Sequence, residues 1–238
     1  ALVDAKANVN AVDEYNATPL HRAAARGHSL VAQILINGKA CLDLCDTYKY
    51  NTPLEFALAD DHITTVRVLL EAKANLVVKN PLYAAADRCS GATIQVLLDA
   101  KAEVNPNHGY ETPLHKAVRY GKSDAVEVLL DAKASLDVRD KNNSTPLHFA
   151  AKARNVANLL ILIDAEASLE AKNNDGQTAL HLAATAYDSS NVVNALLNGK
   201  ADINARDEEG KTPLHLAVAI SNSAVAQFLV AAKANASL

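Results

Sequence analysis

Histidine and cysteine are the residues of this chain best suited to chemistry, and five of its eight histidines recur in one phrase. Thr-Pro-Leu-His appears at Thr18 to His21, Thr112 to His115, Thr145 to His148 and Thr212 to His215. Thr178-Ala179-Leu180-His181 differs by one residue. Imidazole is a good metal ligand and general base, so a shared site is the first chemistry to test. The five rings stand a full repeat apart, which on packed helices means about 8–10 Å between neighbours. Metal–ligand bonds are about 2 Å, so no two of these rings reach one ion. The pattern reads instead as a ring that hydrogen-bonds backbone between adjacent loops. Cys41 and Cys45 with the distant Cys89 lack paired CxxC spacing and a fourth ligand, and read as ordinary thiols. Asp60-Asp61-His62 reads as a solvated acidic turn. No nucleophile elbow, phosphate loop or paired-carboxylate motif is present. The expectation is therefore no catalytic residue, no cofactor and no metal, and a chain that is not an enzyme.

The elements that carry these histidines are spelled out by the same phrase. With Thr52-Pro53-Leu54-Glu55 and the degraded Asn80-Pro81-Leu82-Tyr83 included, the phrases start at 18, 52, 80, 112, 145, 178 and 212, which gives steps of 34, 28, 32, 33, 33 and 34. A period near 33 that opens a helix specifies a stacked array, in which each unit packs only on its neighbours. Thr caps the helix, and Pro fits the first helical position, where its missing N–H would have had no partner. In the first copy Leu20 and Ala24, then Val31, Ile34 and Leu35, have the spacing of a buried stripe on two successive helices. Gly27-His28 makes the turn between them, and Cys41 to Asn51 reads as an extended finger that turns back.

These residues resemble the ankyrin repeat: Thr-Pro-Leu-His opening helix one, a Gly-His turn, a Val-x-x-Leu-Leu second helix, then Ala-Asp-Val-Asn into a β-turn finger. The resemblance covers nearly the whole chain. It implies an all-α solenoid of stacked helix-turn-helix repeats with β-turn finger loops. The organisation expected is one array over 1–238, with a partial repeat at 1–17 and seven repeats starting at the positions above. Residues 1–6 match the tail of a repeat, as in Leu129 to Ala134, so further repeats or a cap are expected before them, with fraying at Leu2 and Val3. The resemblance also implies asparagine hydroxylation at Asn10, Asn105 or Asn204, although a turn-forming Asn accounts for each of them.

Three departures carry structural expectations. The second copy has Glu55 in place of His and lacks about five residues after Leu76, so the finger between 75 and 80 is expected to be stunted or missing. The sixth copy has an extra residue between its helices, over Tyr187 to Asn191, expected to lie away from the fingers. Most systematic is the position after helix two, where the family has Gly and this chain has Lys6, Lys39, Lys73, Lys101, Lys133, Glu166, Lys200 and Lys233. A non-Gly residue in a left-handed turn there costs about 1–2 kcal/mol. Either the chain tolerates that cost in every copy or the helix ends one residue differently, with Gly38 and Gly199 giving local relief. A cation near a helix C-terminus returns only about 0.3–1 kcal/mol.

Composition narrows the function further. Half the residues are apolar, with no Trp and three Phe, so burial rests on Leu, Val, Ile and Ala. A net charge of −4 with interspersed signs lacks the basic stripe of a nucleic-acid binder. No apolar run approaches the roughly 20 residues needed to span a bilayer. An odd cysteine count without a disulfide framework points to a reducing, intracellular compartment, the cytoplasm or a host cytoplasm if the chain is a bacterial effector.

The variable positions point to another protein as partner. In the implied fold, finger tips and first helices line a concave surface. That surface carries Tyr15, Tyr48, Lys49, Tyr50 and Tyr110 on fingers, and Arg22, Arg26, Lys116, Arg119, Tyr120 and Lys152 on first helices. Tyr and Arg combine contact area with directed hydrogen bonds and anchor interfaces. Towards the C-terminus the tips turn acidic at Asp175, Asp207, Glu208 and Glu209, which would hold a charged partner in one direction. The expected function is a monomeric protein-binding scaffold. The alternative is a regulatory or targeting module of a larger enzyme, channel or secreted effector. An engineered binder fits less well, because the steps and framework residues drift.

Overall fold

The computed structural model describes residues 7–76, 80–106 and 111–232. Among these residues there are fourteen helices and no β-strand. The chain divides into two compact units, Ala1–Pro106 and Asn107–Leu238. The first holds α1 (Pro19–Ala25), α2 (Ser29–Asn37), α3 (Pro53–Ala59), α4 (Ile63–Glu71), α5 (Pro81–Ala85) and α6 (Gly91–Asp99). The second holds α7 (Pro113–Arg119), α8 (Ser123–Asp131), α9 (Pro146–Ala153), α10 (Val156–Asp164), α11 (Ala179–Ala184), α12 (Ser190–Asn198), α13 (Pro213–Ala219) and α14 (Ser223–Ala231).

Within each unit the odd-numbered helices pack in one layer and the even-numbered helices in another. In the first unit α1, α3 and α5 stack in order, as do α2, α4 and α6. In the second unit α7, α9, α11 and α13 form one layer, and α8, α10, α12 and α14 the other. The core lies between the layers and repeats with the phrase, except in the first copy. There α2 packs on α1 and α4 and Ala32 is its buried residue, while Val31 and Ile34, expected in the buried stripe, are exposed, with Leu35 half-buried. Leu54, Leu82, Leu114, Leu147 and Leu180 from the first helices are almost fully buried, as are Leu69, Leu97, Leu129, Leu162 and Leu196 from the second. Ala stands at the close contacts, with Ala57, Ala85, Ala117, Ala150 and Ala183 fully buried. Small side chains there let short helices pack tightly.

The histidines work as the linkers the phrase suggested. In each intact copy the cap threonine's backbone N–H donates to the ring Nδ1, at 3.0 Å for Thr18–His21, 3.2 Å for Thr112–His115 and 3.1 Å for Thr145–His148. A backbone N–H only donates, so Nδ1 is the acceptor and the ring proton sits on Nε2. That proton goes to a carbonyl oxygen of the next loop: Asn51 for His21, Ser144 for His115, Gln177 for His148 and Lys211 for His181. Each ring thus caps its own helix and ties down the following finger. Glu55 makes the first bond, accepting from Thr52 N–H at 2.5 Å, but a carboxylate has no N–H to hand on. The copy that follows is the degraded one, where the left-handed Asn80 caps the five-residue α5 through its side chain. The core of the expected stunted finger, at 77–79, lies outside the described residues, as do Lys6, Lys233, Leu2 and Val3.

The helix ends decide between the two readings of the lysine ladder. Lys39, Lys73, Lys101, Lys133, Glu166 and Lys200 are all left-handed, with φ between 65° and 71°. Gly38 and Gly199 are not, at φ −77° and −72°. The expected glycine relief is therefore absent, and the cost of about 1–2 kcal/mol is met at every described copy. Each lysine sits at the hinge of a Schellman motif. At the end of α4, for example, Lys73 N–H donates to Leu70 O at 2.9 Å and Ala74 N–H to Leu69 O at 3.0 Å. Two otherwise orphaned carbonyls gain donors, and the buried Ala that follows fixes the turn.

Candidate protein-binding surface

Fingers and first helices present the residues expected to bind a partner. Four of the fingers share one turn geometry. Asp13, Asp140, Asn173 and Asp207 each donate a backbone N–H to the carbonyl four residues on. Adjacent tips are then joined in a row, with Thr47 N–H donating to Tyr15 O at 2.8 Å, Asn174 N–H to Asn142 O at 2.9 Å and Glu208 N–H to Asp175 O at 3.1 Å. Asn10 joins neighbouring repeats below the tips, its side chain accepting from Cys41 N–H at 2.7 Å and donating to Lys39 O at 3.2 Å. That bridging is the structural use of the Asn expected in a turn.

The second finger is different. Asp46 N–H reaches Asn51 O, five residues on, so this tip holds one residue more than its neighbours. The extra length carries Tyr48-Lys49-Tyr50 outward. Tyr48 is 75% exposed, Tyr50 68% and Tyr15, on the adjoining tip, 51%. Tyr50 also stands at φ 53°, where the corresponding residues are Asn16, Asn143, Gly176 and Gly210. Asn and Gly enter this region easily, whereas a bulky aromatic side chain is an outlier that costs about 1–2 kcal/mol. Lys49 lies over the Tyr48 ring at 5.6 Å. Arg22 and Arg26 are exposed at the end of α1, and Arg22 pairs with Asp13 at 2.5 Å. That pairing holds the Asp13 carboxyl below the usual carboxylate range.

The second unit presents a groove of about 1030 Å³. Its walls are the finger tips at Asp140–Ser144 and Asn173–Gln177, and its floor comes from α9 and α11, with Arg119 at one side. Arg119 lies 4.5 Å over the Phe149 ring and pairs with Glu111. Phe149 in turn meets the His115 ring edge-on at 5.1 Å. Lys152 is exposed in the groove, Lys116 is half-buried, and Tyr120 is 57% exposed beside Arg119 at the end of α7. Tyr110 lies outside the described residues. Phe149, Leu182 and Lys141 line the groove and escaped the sequence reading. The signal for the first two was available, since both follow the phrase histidine directly and so share one face in every copy.

The chemistry of the remaining titratable groups is that of a framework. Burial pushes the His115 ring down to about 4, and lowers His21, His148 and His181 in the same direction. Both nitrogens of these four rings are committed to hydrogen bonds, which leaves no lone pair for a metal or a substrate. Cys89 is buried, donates to Leu58 O and has its thiol pushed up to about 12. The turn at Asp60-Asp61-His62 is not merely solvated. Asp61 accepts from Thr93 Oγ1 at 2.6 Å and Ser90 N–H at 3.0 Å, tying α3 to α6. The extra residue of the sixth copy falls in the turn between α11 and α12, where Arg154 Nη1 donates to Tyr187 O at 3.0 Å, apart from the finger tips.

Comparison with known proteins adds the family. The profile described as ankyrin repeats (3 copies) matches residues 1–80 and 82–173, ankyrin repeats (many copies) matches 162–217, and a single ankyrin repeat matches 209–238. The chain is 29% identical over 140 residues to a transient receptor potential cation channel subfamily A member 1 homolog of Caenorhabditis elegans, covering 57% of this chain and 12% of that one. It is 31% identical over 114 residues to a fowlpox virus (strain NVSL) protein described as an ankyrin repeat protein, covering 47% of this chain and 17% of that one. The crystal structure of the human ASB11 ankyrin repeat domain superposes with a TM-score of 0.80 at 29% identity, covering 90% of this chain and 97% of that one. The matches thus span less than a fifth of either curated relative. No described helix is long and apolar enough to cross a membrane.

Proposed function

Because the chain belongs to the ankyrin repeat family, whose repeats are in general protein–protein interaction modules and not enzymes, we propose that it is a scaffold that binds another protein through its finger tips and first helices. One observation carries this reading. The second finger is lengthened by a residue and holds Tyr50 in a left-handed conformation, so that three tyrosines stand exposed on two adjoining tips. Framework needs explain none of these features, since Asn or Gly at the same place would cost less and leave fewer apolar atoms in water. The left-handed residues after the second helices are accounted for by their Schellman turns, whereas strain without such an account motivates a functional reading. A rigid surface of this kind loses little entropy on binding. The contact set is Tyr15, Tyr48, Lys49, Tyr50, Arg22 and Arg26 in the first unit, and Lys116, Arg119, Tyr120 and Lys152 in the second, with Tyr110 added from the sequence.

The test is affinity capture with crosslinking from lysate of the source organism, comparing the intact chain with a Tyr15→Ala, Tyr48→Ala, Tyr50→Ala variant. Loss of a captured partner from the variant, with helical content unchanged, is the expected result. Equal capture by both chains removes the tyrosine tips from the interface. A second reading, a regulatory or targeting module of a larger protein, draws support from the small share of each relative that the matches cover. Sequencing the reading frame around this segment tests it: a catalytic or membrane domain supports it, and repeats alone sink it.

A further inference from the structure

The geometry points to a more specific ligand for the groove of the second unit: an extended protein segment with a single carboxylate close to an aliphatic side chain. This inference rests on the scaffold reading above and names the chemistry of one part of its surface. The mode of recognition follows from the walls. The tip carbonyls of Lys141 and Asn142 already accept from the Asn174 side chain and backbone. These two carbonyls are therefore already taken by the neighbouring tip, and the side chains that line the groove carry the recognition.

The floor supplies a fixed apolar spot. Phe149 is half-buried, clamped by the Arg119 guanidinium on one face and the His115 ring at its edge, and Leu182 stands at the same helical position one repeat on. Neither needs to reorganise to receive an aliphatic group. The charges around it do not cancel evenly. Arg119 is neutralised by Glu111, and the Asp140 carboxylate is buried in its own turn, accepting from Asn142 and Ser144 N–H. What remains is Lys141 on the tip and Lys152 on the helix, both exposed and in no ion pair among the described residues, against the single exposed acid Asp175 on the next tip. The two lysines draw a carboxylate to the α9 side. Asp175, with Glu208 on the tip beyond it, repels a second one, so the groove selects one acid beside an apolar residue and not an acidic run.

The test uses the full chain, labelled for amide NMR, and three short peptides with acetylated N-termini and amidated C-termini, so that no terminal carboxylate competes. These are Gly-Ser-Glu-Ala-Leu-Ser-Gly, the same peptide with Lys for Glu, and the same peptide with Ala for Leu. At low salt the first peptide is expected to move the amides of Lys141, Phe149, Lys152 and Leu182, with weak affinity. The lysine peptide should bind about fivefold more weakly, the scale set by an exposed ion pair, and the alanine peptide about fivefold more weakly through the loss of a partly buried apolar side chain. The Lys141→Glu, Lys152→Glu variant should invert the preference and take the lysine peptide better than the glutamate one. Absence of shifts at these residues, or a preference that the double reversal leaves intact, overturns the inference. Failure of the scaffold reading is seen separately, in the capture of a natural partner by tyrosine-tip variants, which do not touch this groove.

Discussion

Lowering the pH should loosen this fold through its buried histidines, and His115 shows by how much. In the folded chain its Nδ1 accepts from Thr112 N–H at 3.2 Å and its Nε2–H donates to Ser144 O at 3.1 Å. A second proton has to go on Nδ1, against a donor that cannot turn away. The ring is fully buried, and burial pushes its pKa down to about 4. The unfolded value is about 6.5, so the folded state needs the neutral ring and the unfolded state takes the proton first. Stability from this group is therefore fully present above about pH 6.5 and is lost as the pH falls from there towards 4. At about pH 5 the difference in proton binding amounts to about 2 kcal/mol. His21, His148 and His181 are shifted in the same direction by the same cause and add to the loss. The assay is urea unfolding of the intact chain and of His115→Gln at about pH 7.5 and about pH 5, with histidine ring NMR to follow the individual protons. The intact chain should lose about 2 kcal/mol more than the variant between the two conditions, and the His115 ring should remain in the Nε2–H tautomer at pH 5. A His115 titration near 6.5, or an equal pH dependence for the two chains, refutes the bonding scheme on which the repeats are joined.

Three further outcomes follow from the same geometry. Lys73→Gly relieves a left-handed lysine at φ 68° and should stabilise the chain by about 0.5–1 kcal/mol after the extra freedom of glycine in the unfolded state is counted, read as a higher urea midpoint. Gly176→Ala does the reverse: its Cβ would lie 2.5 Å from the Glu208 backbone nitrogen at φ 70°, and a loss of about 2 kcal/mol is expected by the same measurement. Iodoacetamide should label exposed Cys41 at neutral pH and leave Cys89 unmodified until urea opens the first unit, because the Cys89 thiol is buried and held protonated. Mass spectrometry of the peptides distinguishes the two.

The repeat architecture was legible because each copy carries its own instructions. Thr and Pro open a helix by local geometry alone, and the histidine that follows has only one spatial role open to it once the period is known. The left-handed lysines were legible as a choice between two outcomes but not as a decision, since the balance depends on the Schellman hydrogen bonds and the buried Ala beyond, which are tertiary facts. The role of Asp61 was hidden for a similar reason, because Ser90 and Thr93 lie 29 and 32 residues away along the chain. On the surface, Tyr15, Tyr48 and Tyr50 were readable as exposed aromatics in a finger. The strain at Tyr50 was not, because it arises from an extra residue whose position only the turn hydrogen bonds reveal. Phe149 and Leu182 carry a signal in the sequence, the place directly after the phrase histidine, but their exposure in a groove depends on how the fingers fold back beside them.

The scaffold account is tested most directly by hydrogen exchange on the captured complex. The account predicts slowed exchange on the second finger, at Thr47 to Asn51, and on the ends of α1, α7 and α9, with the second helices unchanged. Protection confined to α8, α10 and α12, with the fingers exchanging as in the free chain, would contradict it.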